Sequence, residues 1–280
     1  MKELTTTTGT TNTIHLVTHG GVFHADDVAA TALLQIYLSV KGYRYEVIRT
    51  YDPASLGYTD DTPNSIIYDV GGGKFDHHQI NDDHIIRTDG LKYSSVGLIW
   101  QQIGPNLVGG YADEVYNNFF RYIDDQDNGN GMNPLSWAIR SFENFNTAVL
   151  IMKTMITNVI LSYRRKIKNE KKINQIINNY YNRNSNSNYI ITDEYIDGMV
   201  TACSSNEIAF WIYPNERGGY CFRTIPADKN DMMGKHIIDI PQEVRDWDGV
   251  TFLHPTAFLG SAETKEKAIE VVEKILSIAL

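Results

Sequence analysis

Nine His and Asp side chains fall into three short clusters within the first 127 residues. They are His19, His24 and Asp26 in THGGVFHADD, then Asp69, Asp76, His77 and His78 in YDVGGGKFDHH, then Asp124 and Asp127 in IDDQDNG. Each cluster ends a segment that reads as a strand or a helix. A carboxylate that follows a buried strand, as Asp69 does, must be paired or bound, because burying a lone charge is expensive. The fold is thereby constrained to bring three distant stretches of chain to one place. Taken singly, His19 or His24 is an ordinary loop histidine and Asp26 an ordinary helix cap. Taken together, imidazoles mixed with carboxylates suit a pair of hard divalent cations, and the lack of Cys among them argues against structural zinc.

The elements around the clusters point to an α/β fold. A strand is expected at 14–18, a helix at 26–40 capped by Asp26 or Asp27, and further strands at 45–50 and 65–70. Such alternation argues for a mostly parallel sheet with flanking helices, whose ligands sit beyond the carboxyl ends of the strands. His19 and Asp69 lie at two of those ends. Glycines 20, 21 and 71–73 let the adjoining loops turn tightly. Helices follow at 94–103 and 112–125, with a turn at Asp127, Asn128 and Gly129.

From Phe145, apolar residues at Ala148, Val149, Met152, Met155, Ile156, Val159, Ile160 and Tyr163 keep a helical period. This predicts a long helix linking two lobes, continued by Arg164, Arg165 and Lys166 as a solvated face. An Asn-rich stretch at 174–188 reads as a loop or ragged helix end. The last third reads as a smaller α/β lobe, with EIAFWIYP and GYCFRTIP forming a hairpin across NERGG, VTFLHP another strand, and 264–277 a final helix. The expected division is residues 12–145, a metal-binding domain; 146–190, a linking helical segment; and 191–280, a substrate-gripping domain.

The net charge of −9 shows no dominant basic footprint of the kind long nucleic acid demands. Two cysteines, Cys203 and Cys221, make neither a CxxC pair nor a disulfide framework, which fits a reducing compartment and a cytoplasmic location. No uninterrupted apolar run reaches about 18 residues, so no membrane span is expected. The start, MKELTTTTGTTNT, lacks the apolar core of a secretory signal and reads as a disordered tail.

The motifs themselves resemble a known family. Asp76-His77-His78, with an upstream His/Asp loop and an isolated Asp after a strand, is similar to the DHH phosphoesterase superfamily, and more closely to its melanocyte-proliferating-gene family of exonucleases. Thr18 to Asp27 resembles that branch's TH-x-G-x-FH-x-DE, with Asp27 in place of Glu. Asp69-Val70-Gly71-Gly72 and Phe75-Asp76-His77-His78-Gln79 resemble its DVGG and YDHHQ, with an unusually short spacer at Lys74. Ser94 to Leu98 and Ile123 to Gly129 resemble SSAGL and IDxIDNG. Phe252 to Gly260, with Thr264 and Lys265, resembles FVHASGFIGG and KT, with Pro255 and Ser261 in place of small residues.

The resemblance implies a role for each residue. His19 and His24 would hold one ion with Asp69. Asp26, His77 and Asp127 would hold another, bridged by Asp69, with Asp124 the alternative to Asp127. His78 would face the phosphate or leaving oxygen, and Asp76 would orient a histidine. In the second lobe Arg223, His254, Gly260, Ser261 and Lys265 would grip substrate, Gly260 through a turn that offers backbone N–H groups. Trp211, Tyr213, Tyr220 and Phe222 are core residues that could otherwise stack bases. The implied activity is a two-metal phosphodiesterase acting through an activated water, with manganese first and magnesium or cobalt also admitted. Its implied substrate is RNA or a short oligonucleotide, degraded as by an exonuclease. A hydrolase of small phosphoanhydrides or dinucleotides is the alternative, and a non-catalytic metal-binding module the next. No membrane partner is implied, and the oligomeric state is left open, a homodimer included.

Overall fold

The structure is a computed structural model of the 280-residue chain and describes residues 13–79, 85–182, 187–231 and 234–279. The N-terminal tail, apart from Thr13, and residues 183–186 of the Asn-rich stretch lie outside the described residues. The chain divides into two compact units, one ending at Arg164 and the other beginning at Arg165.

In the first unit β1 (Thr13–Thr18) lies between β2 (Arg44–Arg49) and β3 (Ser65–Ile67) in a parallel sheet. Ile14, Leu16 and Val17 of β1 are fully buried, as befits a central strand covered on both faces. The crossover helix α1 (Ala25–Val40) is buried on almost every side, because its alanines let neighbours approach closely. Its N-cap is His24 rather than Asp26 or Asp27. Asp27, in the first turn, reaches back to accept the His24 N–H at 2.8 Å, one half of a capping box. The third strand is shorter than the expected 65–70. Beyond Ile67, Tyr68 makes a single bridge to Phe75, and the backbone then swings to a φ of 58° at Asp69.

Helix α2 (Ser95–Val108) runs past Gly104 and Pro105, where the sequence suggested an end. A side chain at Gly104 would press into the Trp100 ring, so the glycine serves packing there rather than termination. The helix expected at 112–125 is a continuous helical stretch in three parts. These are α3 (Ala112–Val115), one π-helical turn (Tyr116–Phe120) and α4 (Arg121–Asp127). A short α5 (Pro134–Arg140) was not anticipated, although its signature is plain: Asn133 accepts the Leu135 N–H at 3.0 Å and Pro134 fills the first turn.

The 38-residue α6 (Phe145–Asn182) carries the expected periodic face. Ala148, Val149, Met152, Ile156 and Ile160 join the core of the first unit, while Ile173 and Ile177 join a core of the second. The Asn-rich stretch is helical as far as Asn182. By length and composition α6 could cross a membrane, the one such helix among the described residues. Lys153 on α6 donates to Tyr45 Oη at 3.0 Å, a polar anchor on the sheet it covers.

The second unit holds a five-stranded sheet in the order β4-β5-β6-β8-β7, flanked by helices α7 (Met199–Ser205) and α8 (Lys265–Ala279). β5 (Phe210–Pro214) and β6 (Tyr220–Thr224) are the expected hairpin, and β4 (Tyr189–Ile191) adds parallel to β5. β7 (Val250–Leu253) and β8 (Leu259–Ala262) complete it. The expected glycine turn at 260 is instead β8, with Gly260 opposite Phe222 on β6. A Cβ at Gly260 would collide with the Phe222 ring, so the glycine makes room for that ring.

Candidate metal centre

The parallel sheet delivers the first two clusters to one edge. His19 follows β1 directly, and its Nδ1 lies 2.9 Å from the Gly20 carbonyl, which turns Nε2 inward. Asp69 follows β3 through Tyr68. Its left-handed backbone, a strained conformation for any side chain but tolerated by Asp, aims the carboxylate into the same space. The Asp69 N–H donates to Phe75 O at 3.0 Å, closing the loop that returns His77 and His78 to the edge.

Asp69 lies between two imidazoles. Its Oδ2 is 3.2 Å from His19 Nε2, and its Oδ1 is 3.2 Å from His77 Nε2. His19 Nε2 is also 3.2 Å from Asp27 Oδ2. His77 Nε2 is 3.1 Å from Asp127 Oδ2 and 4.0 Å from Asp26 Oδ2. Two potential donor sets result, His19–Asp27–Asp69 and Asp26–His77–Asp127, and Asp69 touches both; Asp69–His77–His78 makes a third. Asp26, Asp27, Asp69 and His77 are all buried.

The placement of the predicted residues is uneven. His19, Asp26, Asp69, His77 and Asp127 converge. His24 falls outside the three sets, its ring 5.7 Å from that of His19, and Asp27 stands where His24 was expected. Asp127 reaches His77, whereas Asp124 turns away toward Ser94 and Tyr116. His78 is 65% exposed at the mouth, with Nδ1 2.7 Å from Asp76 Oδ1. Asp76 Oδ2 accepts the Gly72 N–H at 2.7 Å, which fixes the carboxylate against His78. Asp26 is not a cap of its own helix. It accepts the Ser95 and Val96 N–H groups at 3.1 and 2.7 Å, so it caps α2 from outside and lies at that helix's positive end.

The electrostatics follow from this crowding. Hydrogen bonds to Asp27 and Asp69 push the His19 imidazolium up to about 11. Burial opposes charge on His77, but Asp69, Asp26 and Asp127 outweigh it and carry the ring to about 9. Burial also works against charge on Asp69, yet the two histidines hold it down to about 2. Burial, then the charges of Asp69 and Asp127, pushes Asp26 well above the usual carboxylate range. In a cation-free centre protons do the neutralising. The donor set also fits divalent cations, and one buried atom supports that fit: Asp27 Oδ2 faces two cationic side chains, His19 Nε2 at 3.2 Å and Arg49 Nη2 at 3.6 Å. Beside the second set is a cavity of about 150 Å³ whose walls include His24, Gln126, Asp127, Ser136 and Arg140.

Comparison with known proteins matches this region. Residues 15–140 match the MYG1_exonuc family, described as an uncharacterised protein family (UPF0160). MYG1 exonuclease of Homo sapiens is 33% identical over 138 residues, which cover 40% of this chain and 35% of the human protein. A MYG1 protein of Chlamydia pneumoniae is 36% identical over 120 residues, covering 40% and 37%, and one of Schizosaccharomyces pombe is 30% identical over 138 residues, covering 42% and 40%. The match therefore spans little more than a third of these relatives. Among solved structures, RecJ of Thermus thermophilus with Mg²⁺ is similar at a TM-score of 0.30 and 12% identity, covering 94% of this chain and 50% of RecJ.

The gripping residues proposed for the second lobe lie outside the MYG1-matched segment. Arg223 on β6 is half-buried, its guanidinium 5.2 Å from the Phe258 ring centre and its Nε without a hydrogen-bond partner. His254 Nδ1 pairs with Thr256 Oγ1 at 2.8 Å. Ser261 Oγ pairs with Thr251 Oγ1 at 2.9 Å within the sheet, and Lys265 Nζ reaches Asp193 at 3.4 Å. Trp211 and Phe222 are fully buried core residues.

Proposed function

We propose that this chain is a divalent-metal-dependent phosphodiesterase, an exonuclease acting on RNA or short oligonucleotides. One observation carries the reading: the two oxygens of a single buried carboxylate, Asp69, face two imidazoles that belong to two donor sets. His19, Asp27 and Asp69 would hold one cation, and Asp26, His77 and Asp127, with Asp69, a second. Bound cations would supply positive charge for a phosphoryl oxygen and acidify a water. The exposed His78 ring, held by Asp76, is placed to hydrogen-bond an incoming phosphate or to protonate a leaving oxygen. The name of the human relative, an exonuclease, supports a nucleic-acid substrate, and manganese is the first metal to test. The acidic balance of −9 favours short substrates and keeps dinucleotides or phosphoanhydrides as a second reading.

The test is incubation of the full chain with Mn²⁺ and end-labelled RNA, DNA, dinucleotides and pyrophosphate. Stepwise shortening of RNA is the expected result, abolished by Asp69→Ala. Pyrophosphate turnover with intact oligonucleotides would favour the second reading, and an active Asp69→Ala protein would remove the bridging role.

A further inference from the structure

The cavity beside the second donor set is walled by three helices. Asp127, Ile123 and Gln126 come from α4, His24 and Ala25 from the start of α1, and Ser136 and Arg140 from α5. Residues four apart on a helix share a face, so α5 turns Ser136 and Arg140 to one side. The Gln126 side-chain oxygen accepts the Asn133 N–H, which ties α4 to the residue that caps α5 and leaves the Gln126 NH₂ as a donor.

Two groups in this wall lack partners. Ser136 is buried and its hydroxyl has no hydrogen-bond partner. Arg140 is exposed, and among the described residues its guanidinium makes no ion pair. An unpaired buried hydroxyl is costly, and an anion's oxygen would satisfy it beside the Arg140 charge. At about 150 Å³ the cavity suits a phosphate group. It is too small for a nucleoside, since pockets that enclose a drug-sized molecule run to about 300–1,000 Å³. The Asp127 carboxylate in the same wall would repel a phosphate, so a cation at the second donor set would favour the anion by offsetting that charge.

A base joined to such a phosphate lies outside the cavity, and Trp137 offers it a surface. Trp137 stands three residues before Arg140 on α5 and is 71% exposed, unusual for a residue type that is mostly buried. The other three tryptophans are covered. Trp100 and Trp211 are buried, and Trp247 lies under Lys274 Nζ at 3.9 Å.

We propose that α5 carries a nucleotide subsite beside the metal centre. Arg140 and Ser136 hold a phosphate in the cavity, and the Trp137 ring stacks on the attached base. The ligand is a nucleoside monophosphate unit at the end of a single strand. Stacking of this kind accepts any base, because every base has a flat face. Pyrophosphate and other base-free phosphates have nothing to lay on Trp137. The subsite rests on the phosphodiesterase reading for the cation beside Asp127.

The test is titration calorimetry of the full chain in Mn²⁺ with 5′-AMP and with ribose 5-phosphate, which differ by the base. The parent should bind 5′-AMP about tenfold more tightly. Trp137→Ala should erase that preference and leave ribose 5-phosphate within about twofold of the parent. Arg140→Ala should weaken both ligands about tenfold. Trp137→Phe should keep the preference but lose the quenching of tryptophan fluorescence that 5′-AMP causes in the parent. A parent that does not prefer 5′-AMP, or a Trp137→Ala protein that keeps the preference, overturns the proposal. So does an Arg140→Ala protein that binds both ligands as the parent does. A parent that binds no Mn²⁺ refutes the metal reading instead, and the same titrations in chelator then decide the subsite by the same criteria.

Discussion

Asp27 divides one carboxylate between two tasks. Oδ1 accepts the His24 and Val28 N–H groups at 2.8 and 2.9 Å and fastens the start of α1, while Oδ2 faces His19. The two tasks separate by substitution. Asp27→Asn keeps an oxygen for the cap and is expected to weaken Mn²⁺ binding about tenfold or more with little change in melting temperature. Asp27→Ala should add a loss of about 1 kcal/mol from the missing cap. Calorimetric titration and thermal melts on both variants check this. The sequence shows two adjacent acids but not which faces the centre; both do, because Asp26 reaches out to α2 while Asp27 folds back on His24. The histidines set the pH dependence. His19 is raised from 6.5 to about 11 and His77 from 6.5 to about 9, so their contribution to the stripped protein is complete below 6.5 and is lost as pH climbs through those values. Asp69, lowered from 3.8 to about 2, contributes above 3.8 and is lost as pH falls through 2. Urea unfolding in chelator should therefore show stability falling from about pH 6 to about pH 10, while Mn²⁺ affinity rises over the same window because the cation must displace ring protons.

At the scale of elements, periodicity and end signals carried the reading where they were strong. The parallel strands, α1, α6, the β5–β6 hairpin and α8 all follow apolar patterns long enough to read. The short pieces did not. β4 is three residues long, α7 is seven, and β8 reads LGSA, in which a glycine masks a strand. What makes β8 a strand is its partner, since Gly260 leaves space for the Phe222 ring across the ladder. That space is a liability when filled. Gly260→Val should destabilise the second unit by about 1–3 kcal/mol through overpacking, read as a lowered urea midpoint, while Mn²⁺ binding stays unchanged. Loss of metal binding in that variant would place Gly260 among the residues of the centre. His19 and Asp69 were legible because each follows a recognisable strand, and His77 because it stands in the Asp-His-His motif. The outward reach of Asp26 to α2 was not, since nothing local to Asp26 encodes a contact about 70 residues away.

Across the whole molecule, two cores share one continuous helix. The first half of α6 completes the core under the metal centre, and its second half packs with α7 and the larger sheet. All the candidate metal-holding residues lie in the first unit. Cation binding should therefore stabilise the units unequally. At a hundredfold excess over its dissociation constant, Mn²⁺ adds about 2.7 kcal/mol to whatever cooperative unit holds it. Amide exchange should slow at 14–19, 67–78, 94–97 and 123–128 and stay unchanged at 187–279. Protection spreading evenly over both ranges would mean that α6 welds the two cores into one cooperative body.

The twisted backbone at Asp69 has a consequence for how this position can change over evolutionary time. A left-handed residue is comfortable as glycine, and tolerable as asparagine or aspartate, whose short polar arms can bond locally. Glutamate keeps the charge but neither that local bonding nor the reach that puts one oxygen toward each ring. The neighbours on the accessible mutational path are thus either neutral or misshapen. The position has no silent alternatives, and a descendant that abandons aspartate there gives up the paired contact to His19 and His77 in a single step rather than by gradual decay.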